Sequence, residues 1–322
     1  NAVLIGRTVM LMSTMFTTDA FGDMPRSQVY QSASPKYDTQ EEVYAWMMQE
    51  ADELVKLYND PAWVDAKTNL LISEKMDRIY AGDMDKWELF CKAIRARLWL
   101  RKLPNWDNTP ATCQKIIAMV DEVLNDANWQ EPRYYYPGGV TESNCPWGPI
   151  APKINSWESR DNRLDESLPT KFFMYGILGG YEFKDSQYKA QRGYALDPRA
   201  SRMMQQREDE KNNQMRYLES NIGCDISQTI VNFPNLLAAN NPYTQDQGYI
   251  ALITTEELMF IKAEAQYWAG GNYVSEAYNT TVAATKLNME RYGLNEAEIL
   301  LAGTNLTDQY KMFFEIKLPG AD

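Results

Sequence analysis

The sequence contains no histidine. That single absence removes Ser-His-Asp and Cys-His nucleophile systems, histidine metal sites and imidazole acid-base chemistry together. Cysteine is scarce: Cys91, Cys113, Cys145 and Cys224 are widely spaced and form no CxxC, so neither a zinc site nor a redox pair is indicated. Cys91 and Cys113 fall inside helical patterns and read as buried thiols, whereas Cys145, beside Pro146, falls in a loop. Cations are in deficit, 32 Lys and Arg against 44 Asp and Glu, for a formal charge of -12. Such acidity opposes nucleic acid and anionic lipid, and suits a neutral ligand. No apolar run approaches the roughly 18 to 20 residues that a membrane-spanning helix needs. The stretch from Asn1 to Phe16 is interrupted by Arg7, has no basic segment before it and no small-residue cleavage site after it. It reads as a buried helix entered midway, with further chain expected upstream, rather than as a signal peptide.

What is present is ample core material: 322 residues, 44% of them hydrophobic and 12% aromatic, enough for one large or two ordinary domains. Thr254, with Glu257 three residues on, opens a helix whose Leu258, Ile261, Ala265 and Trp268 recur along one face. Gly270-Gly271 ends it. A second helix from near Tyr273 puts Ala277, Thr281 and Ala284 on the face that approaches its neighbour, a small-against-large pattern like that of tetratricopeptide-repeat (TPR) hairpins. Upstream, Asp38 or Thr39 with Glu41 or Glu42 caps a helix carrying Val43, Met47, Ala51, Leu54 and Tyr58 at helical spacing. From Asp77 to Lys102 the hairpin logic repeats, with YAGD as the joint and Trp87, Phe90, Cys91, Ile94 and Leu98 as the buried stripe. Asp83, Asp85 and Glu88 lack the glycine and bidentate acid of a calcium loop and read as acids favoured at a helix start. Arg95, Arg97 and Arg101 read as partners for surrounding acids. Asn108-Thr109-Pro110 opens a further helix containing Ile116, Val120 and Val123 that ends near Asn128.

The character then changes. Trp129 to Pro169 holds six prolines, the pair Gly138-Gly139 and the aromatics Tyr134, Tyr135, Tyr136, Trp147 and Trp157, with no sustained period. A long, proline-stiffened, aromatic-rich loop is a candidate functional segment rather than a disordered one. Phe172 to Tyr181 is apolar enough for a buried helix, LDPRAS reads as a turn, and Ile222 to Tyr249 is again loop-like. Helix resumes to Arg291, Asn295 with Glu298 caps a short one, and Leu306 to Leu318 suggests a last.

Four segments in this order resemble the SusD/RagB family of surface nutrient-binding lipoproteins of Gram-negative bacteria. They are FGDMP followed by PKYDTQEEVY, then DRIYAGDMDKWELFCKAIRARLWLR, then Asp197-Pro198-Arg199, and finally TEELMFIKAEAQYWAG. The resemblance implies a mainly α fold: a TPR-like helical scaffold at 1–127 and 250–322, and an inserted loop-rich ligand-binding region at 128–249, incomplete at both ends. It further implies tethering at the outer-membrane surface by a lipid anchor outside this chain, and service to a SusC-like TonB-dependent transporter. No cofactor or metal is expected.

Two function classes compete. The first is a non-catalytic binding protein that captures oligosaccharides, or in the RagB-like alternative peptides, for such a transporter. Aromatic planes stack on sugar C-H faces while amides and guanidinium bond hydroxyls. Trp147, Trp157, Asn155, Arg160, Tyr134, Tyr135 and Tyr136 supply those groups in one stretch. The same aromatics can instead plug the scaffold, as most do. The second class is a glycosidase with a carboxylate pair drawn from Glu158, Asp161, Asp165 and Glu166. Acids interleaved with Arg160 and Arg163 read as a solvated surface, which disfavours it.

Overall fold

The computed structural model describes residues 1–64, 76–106, 109–139, 143–148, 169–170, 173, 178, 181–184, 187–190, 197–204, 207–209, 214–216 and 241–300. Its helices are α1 (Ala2–Phe21), α2 (Gln40–Tyr58), α3 (Met84–Trp106), α4 (Pro110–Leu124), the single turn α5 (Ala200–Met203), α6 (Thr255–Ala269) and α7 (Tyr273–Arg291). The strands are short: β1 (Met24–Pro25), β2 (Tyr37–Asp38), β3 (Arg133–Tyr135), β4 (Tyr181–Lys184), β5 (Gln187–Ala190), β6 (Arg207–Asp209), β7 (Gln214–Arg216) and β8 (Tyr249–Ala251). The pairs β1-β2, β4-β5 and β6-β7 are antiparallel, with Met24 opposite Asp38, Tyr181 opposite Ala190 and Arg207 opposite Arg216. The fold is mainly α and TPR-like. Two compact units result, one of Asn1–Tyr134 with Ala251–Thr285, the other of Tyr135–Ile250 with Lys286–Asp322.

In the first unit α1 packs on α2, α2 on α3, α3 on α4 and α4 on α6. Local sequence starts each helix. Thr39 and Glu42 form a reciprocal capping box on α2, Thr109 with Pro110 opens α4, and the Thr254 hydroxyl accepts from the Glu257 amide on α6. The anticipated stripes of α2 and α3 are buried: Val43, Met47, Ala51 and Leu54 meet Trp87, Phe90, Cys91, Ile94 and Leu98 in one core. Burial pushes the Cys91 thiol up to about 12, which makes it inert.

Two buried carboxylates explain the acidic motifs. Asp77 accepts at Oδ1 from the amides of Ile79 (3.0 Å) and Tyr80 (3.1 Å), and at Oδ2 from Gly82 N (2.8 Å) and the Trp87 indole (2.7 Å). Its turn passes through positive φ at Ala81 (54°) and Gly82 (84°), so that the chain reverses directly into α3. In this way YAGD is a carboxylate-centred turn preceding one continuous helix. Asp38 plays the same part for β1-β2, accepting from the amides of Arg26 and Ser27 and from the Ser27 hydroxyl. Asp23 Oδ1 accepts from Gln40 N, which fixes the start of α2. FGDMP is therefore scaffold.

The arginines on α3 find acids, as their surroundings suggest. Arg97, 5% exposed, makes two 2.6 Å bonds to Glu257 and a 2.9 Å bond to the Leu252 carbonyl, which locks α3 to α6. Arg95 pairs with Glu122, and Arg101 with Asp19.

Three expectations are corrected. α1 is not buried all round: Leu4, Leu11, Met12 and Met15 face the core, while Val3, Val9, Met10 and Phe16 are exposed. Trp268 is 44% exposed, because a 3.6-residue period carries the stripe of Leu258, Ile261 and Ala265 on to Ala269 instead. α4 ends at Leu124, with Asn125 as its C-cap, ahead of Asn128. The expected helices at Phe172–Tyr181 and Leu306–Leu318 lie wholly or largely outside the described residues.

Candidate ligand-binding site

The beginning of the long loop is tied to the scaffold. Glu131 accepts from the Thr255 amide at 2.7 Å and so caps α6, the Trp129 indole donates to Thr255 Oγ1, and the Tyr80 hydroxyl donates to the Gln130 carbonyl. Tyr134 belongs to this unit: its hydroxyl accepts from Arg78 at 2.8 Å, with the guanidinium 5.8 Å from its ring.

Strand alternation sends Tyr135 to the opposite side of β3, and in the second unit its ring starts an aromatic chain. Tyr135 lies 5.5 Å from Tyr249, Tyr249 5.3 Å from Tyr243, and Tyr243 6.1 Å from Tyr292, centroid to centroid, the last two contacts edge to face. Such contacts contribute about 0.5 to 1.5 kcal/mol each beyond their buried area. Arg291 donates to the Tyr249 hydroxyl at 3.0 Å and orients the central ring.

Two loops hold the chain together. Asn241 accepts from the Tyr243 amide, Gly248 N donates to the Gln245 carbonyl, and the Tyr136 amide donates to Gly248 O. The Cys145 amide donates to the Asp246 carbonyl at 2.8 Å, which brings Trp147 onto the same pair of loops. Glycine is needed where they meet, since a Cβ on Gly148 would stand 2.8 Å from the Asp246 Cα. Asn144 and Asn241 are buried, whereas Tyr135 and Trp147 are each 45% exposed. The arrangement offers apolar ring faces on a rigid, hydrogen-bonded base, which is what stacking against a sugar or a peptide side chain requires.

Of the candidates read from sequence, Tyr135, Tyr136 and Trp147 come together here, and Tyr134 sits with Arg78. Asn155, Trp157 and Arg160 lie outside the described residues, as do the acids Glu158, Asp161, Asp165 and Glu166. Sequence reasoning missed Tyr243, Tyr249, Tyr292 and Arg291. The signal available was NNPYTQDQGY, a second turn-rich stretch with spaced tyrosines, and Arg-Tyr-Gly at the end of α7. Asp197-Pro198-Arg199 is a clamp: Asp197 accepts three bonds from Arg199, whose Nη1 donates to Asn288 of α7 at 2.6 Å.

Scaffold and site together define a helical, TPR-like protein that presents an aromatic surface on loops. A family model described as starch-binding, associating with the outer membrane, matches residues 1–136. Among solved structures, a SusD homologue from Bacteroides thetaiotaomicron is 21% identical at a TM-score of 0.60, with 92% of this chain and 53% of that one covered. A SusD/RagB family protein from the same organism is 21% identical at a TM-score of 0.58, covering 94% and 55%. A chitin-binding protein is 18% identical at a TM-score of 0.58, covering 93% and 59%. No curated protein matches the chain in sequence. The chain is thus similar in sequence to the SusD-like family model over its first 136 residues and similar in fold to SusD homologues over most of its length, and it spans about half the length of these solved structures.

Proposed function

We propose that this chain is part of a non-catalytic cell-surface binding protein that captures oligosaccharides and delivers them to a SusC-like TonB-dependent transporter of the outer membrane. The observation that carries the reading is the chain of four tyrosines ending at the half-exposed Tyr135, with Trp147 on the same loops. The match to a starch-binding family model and the fold shared with a chitin-binding protein support a glycan as the ligand class. An acidic surface without histidine suits capture of a neutral chain and leaves most hydrolytic chemistry without its usual groups. Association with the outer membrane, through a lipid anchor, belongs to the same proposal and is supported by the description of the matching family model.

A glycan and peptide array, followed by calorimetry on the hits, tests it. Saturable binding of a neutral oligosaccharide, with no reducing ends released on long incubation, is the expected result. Binding confined to peptides would replace it with RagB-like peptide capture, and carboxylate-dependent release of reducing ends would replace it with hydrolysis.

A further inference from the structure

Helix α1 carries only two charged residues, Arg7 and Asp19, in a chain that is 24% charged. Both are engaged with the scaffold. Arg7 donates twice to Glu50 of α2, at 2.7 and 2.9 Å, while Asp19 pairs with Arg101 of α3 and accepts from the Tyr44 hydroxyl of α2. What remains outward is apolar or small. Val3, Val9, Met10 and Phe16 are 44 to 59% exposed, and Gly6, Ser13 and Ala20 lie exposed among them. At 3.6 residues per turn, Gly6, Ser13 and Ala20 form a shallow floor, with Val9 and Phe16 along one edge and Val3 and Met10 along the other. The hydroxyls of Ser13 and Thr17 are turned back on the helix, donating to the carbonyls of Val9 and Ser13 at 2.9 Å, so they add little polarity to this face.

A helix face that stays in water is ordinarily polar, and a helix apolar on both sides is covered on both. Gly6 sharpens the point. Glycine weakens a helix interior relative to alanine, yet a Cβ at Gly6 would meet nothing within 4 Å among the described residues. A second backbone passing close over it accounts for the glycine. We infer that this face of α1 seats an apolar helix from the part of the same polypeptide that lies outside this sequence, crossing close over Gly6 and Ser13. Solved structures that share the fold have close to half of their length outside the matched span, 53% and 55% being covered, so relatives of this chain carry ample further chain to supply it. Charge weighs against other occupants. A separate protein is met through a polar rim whose charges set its register, and a lipid surface through Lys or Arg beside apolar side chains. This face has neither and resembles one half of a domain core. The inference is independent of the aromatic loops and of the glycan reading.

The full-length polypeptide, with the photo-crosslinking residue p-benzoylphenylalanine in place of Met10 and separately of Phe16, is irradiated in intact cells, and its crosslinked peptides are identified by mass spectrometry. Crosslinks at monomer mass, joining both positions to one helix-length stretch of the same polypeptide outside this sequence, are the expected result. Crosslinks to a second copy, to another protein or to lipid, or none beyond this sequence, overturn the inference. Gly6→Leu in the same full-length polypeptide gives a second reading, opposite in sign for the two cases. On an open face leucine favours the helix and the melting temperature rises. Beneath a packed helix its side chain has no room, and the melting temperature falls by several degrees or folding is lost. The fall is expected, and a rise or no change counts against a covering helix.

Discussion

Asp77 shows how much a single buried carboxylate can organise. Four donors converge on it, so Asp77→Ala orphans two turn amides, the Gly82 amide and the Trp87 indole at once. A loss on the order of 3 kcal/mol or more is expected, since each buried donor left unpaired costs about 1 to 3 kcal/mol, and urea titration measures it. The same turn holds Ala81 at φ 54°. Ala81→Gly removes about 1 to 2 kcal/mol of left-handed strain and returns about half of that as unfolded-chain entropy. A small rise in melting temperature is therefore expected, and a fall would contradict it. Asp38 sets a pH dependence: the Ser27 amide and then the Ser27 hydroxyl hold its carboxyl well below the usual carboxylate range. Its folded-state pKa is depressed, so the stabilisation is complete above the unfolded value of about 3.9 and is lost as pH falls below it. Asp38→Asn should flatten the acid limb of a stability profile without altering its shape above neutral pH, and an unchanged acid limb would show that Asp38 contributes nothing there.

Among the elements, two tryptophans separate what packs from what merely lies on a helix. Trp87 is 1% exposed, contacts Tyr80 edge to face at 5.4 Å and lies between α2 and the Asp77 turn. Emptying that position, Trp87→Ala, should cost roughly 3 to 5 kcal/mol. Trp268, 44% exposed at the end of α6, should cost less than about 1 kcal/mol when truncated. Thermal melts of the two variants side by side decide this, and equal losses would contradict the exposure of Trp268. The sequence pattern put both on buried faces, because i, i+3 and i+7 spacing tolerates an error of one position. By the fourth repeat that error is large enough to move a side chain from core to solvent.

For the whole molecule the decisive test is ligand capture. Once an oligosaccharide is identified, Trp147→Ala and Trp157→Ala should each weaken binding by roughly 1 to 3 kcal/mol, about five- to over a hundredfold, through lost stacking area. Tyr249→Ala should do so too, since it removes the ring that joins Tyr135 to Tyr243. Trp147 is half-exposed, so its variant should melt with the parent. Calorimetry paired with melting curves checks both halves. Normal binding by both tryptophan variants would move the site away from this loop.

Caps, apolar periods and short motifs are properties of contiguous sequence, and by themselves they determined α2, α4, α6, the mainly helical class and the SusD/RagB-like resemblance. Thr39 with Glu42, Thr109 with Pro110 and Thr254 with Glu257 act within one turn of the chain, and a side chain three residues away is always in reach. The partners of the motif residues were decided by tertiary structure alone. The sequence displays Asp77 and Trp87 but not the bond between them, and nothing local says that Arg97 belongs to Glu257, 160 residues away. The site divides in the same way: Tyr135 and Trp147 stood out as aromatics in a proline-rich loop. Their neighbours Tyr243, Tyr249 and Tyr292 come from segments about a hundred or more residues later, brought alongside by amide bonds such as Cys145 to Asp246. Stacking depends on distance in space, and only the folded chain sets that.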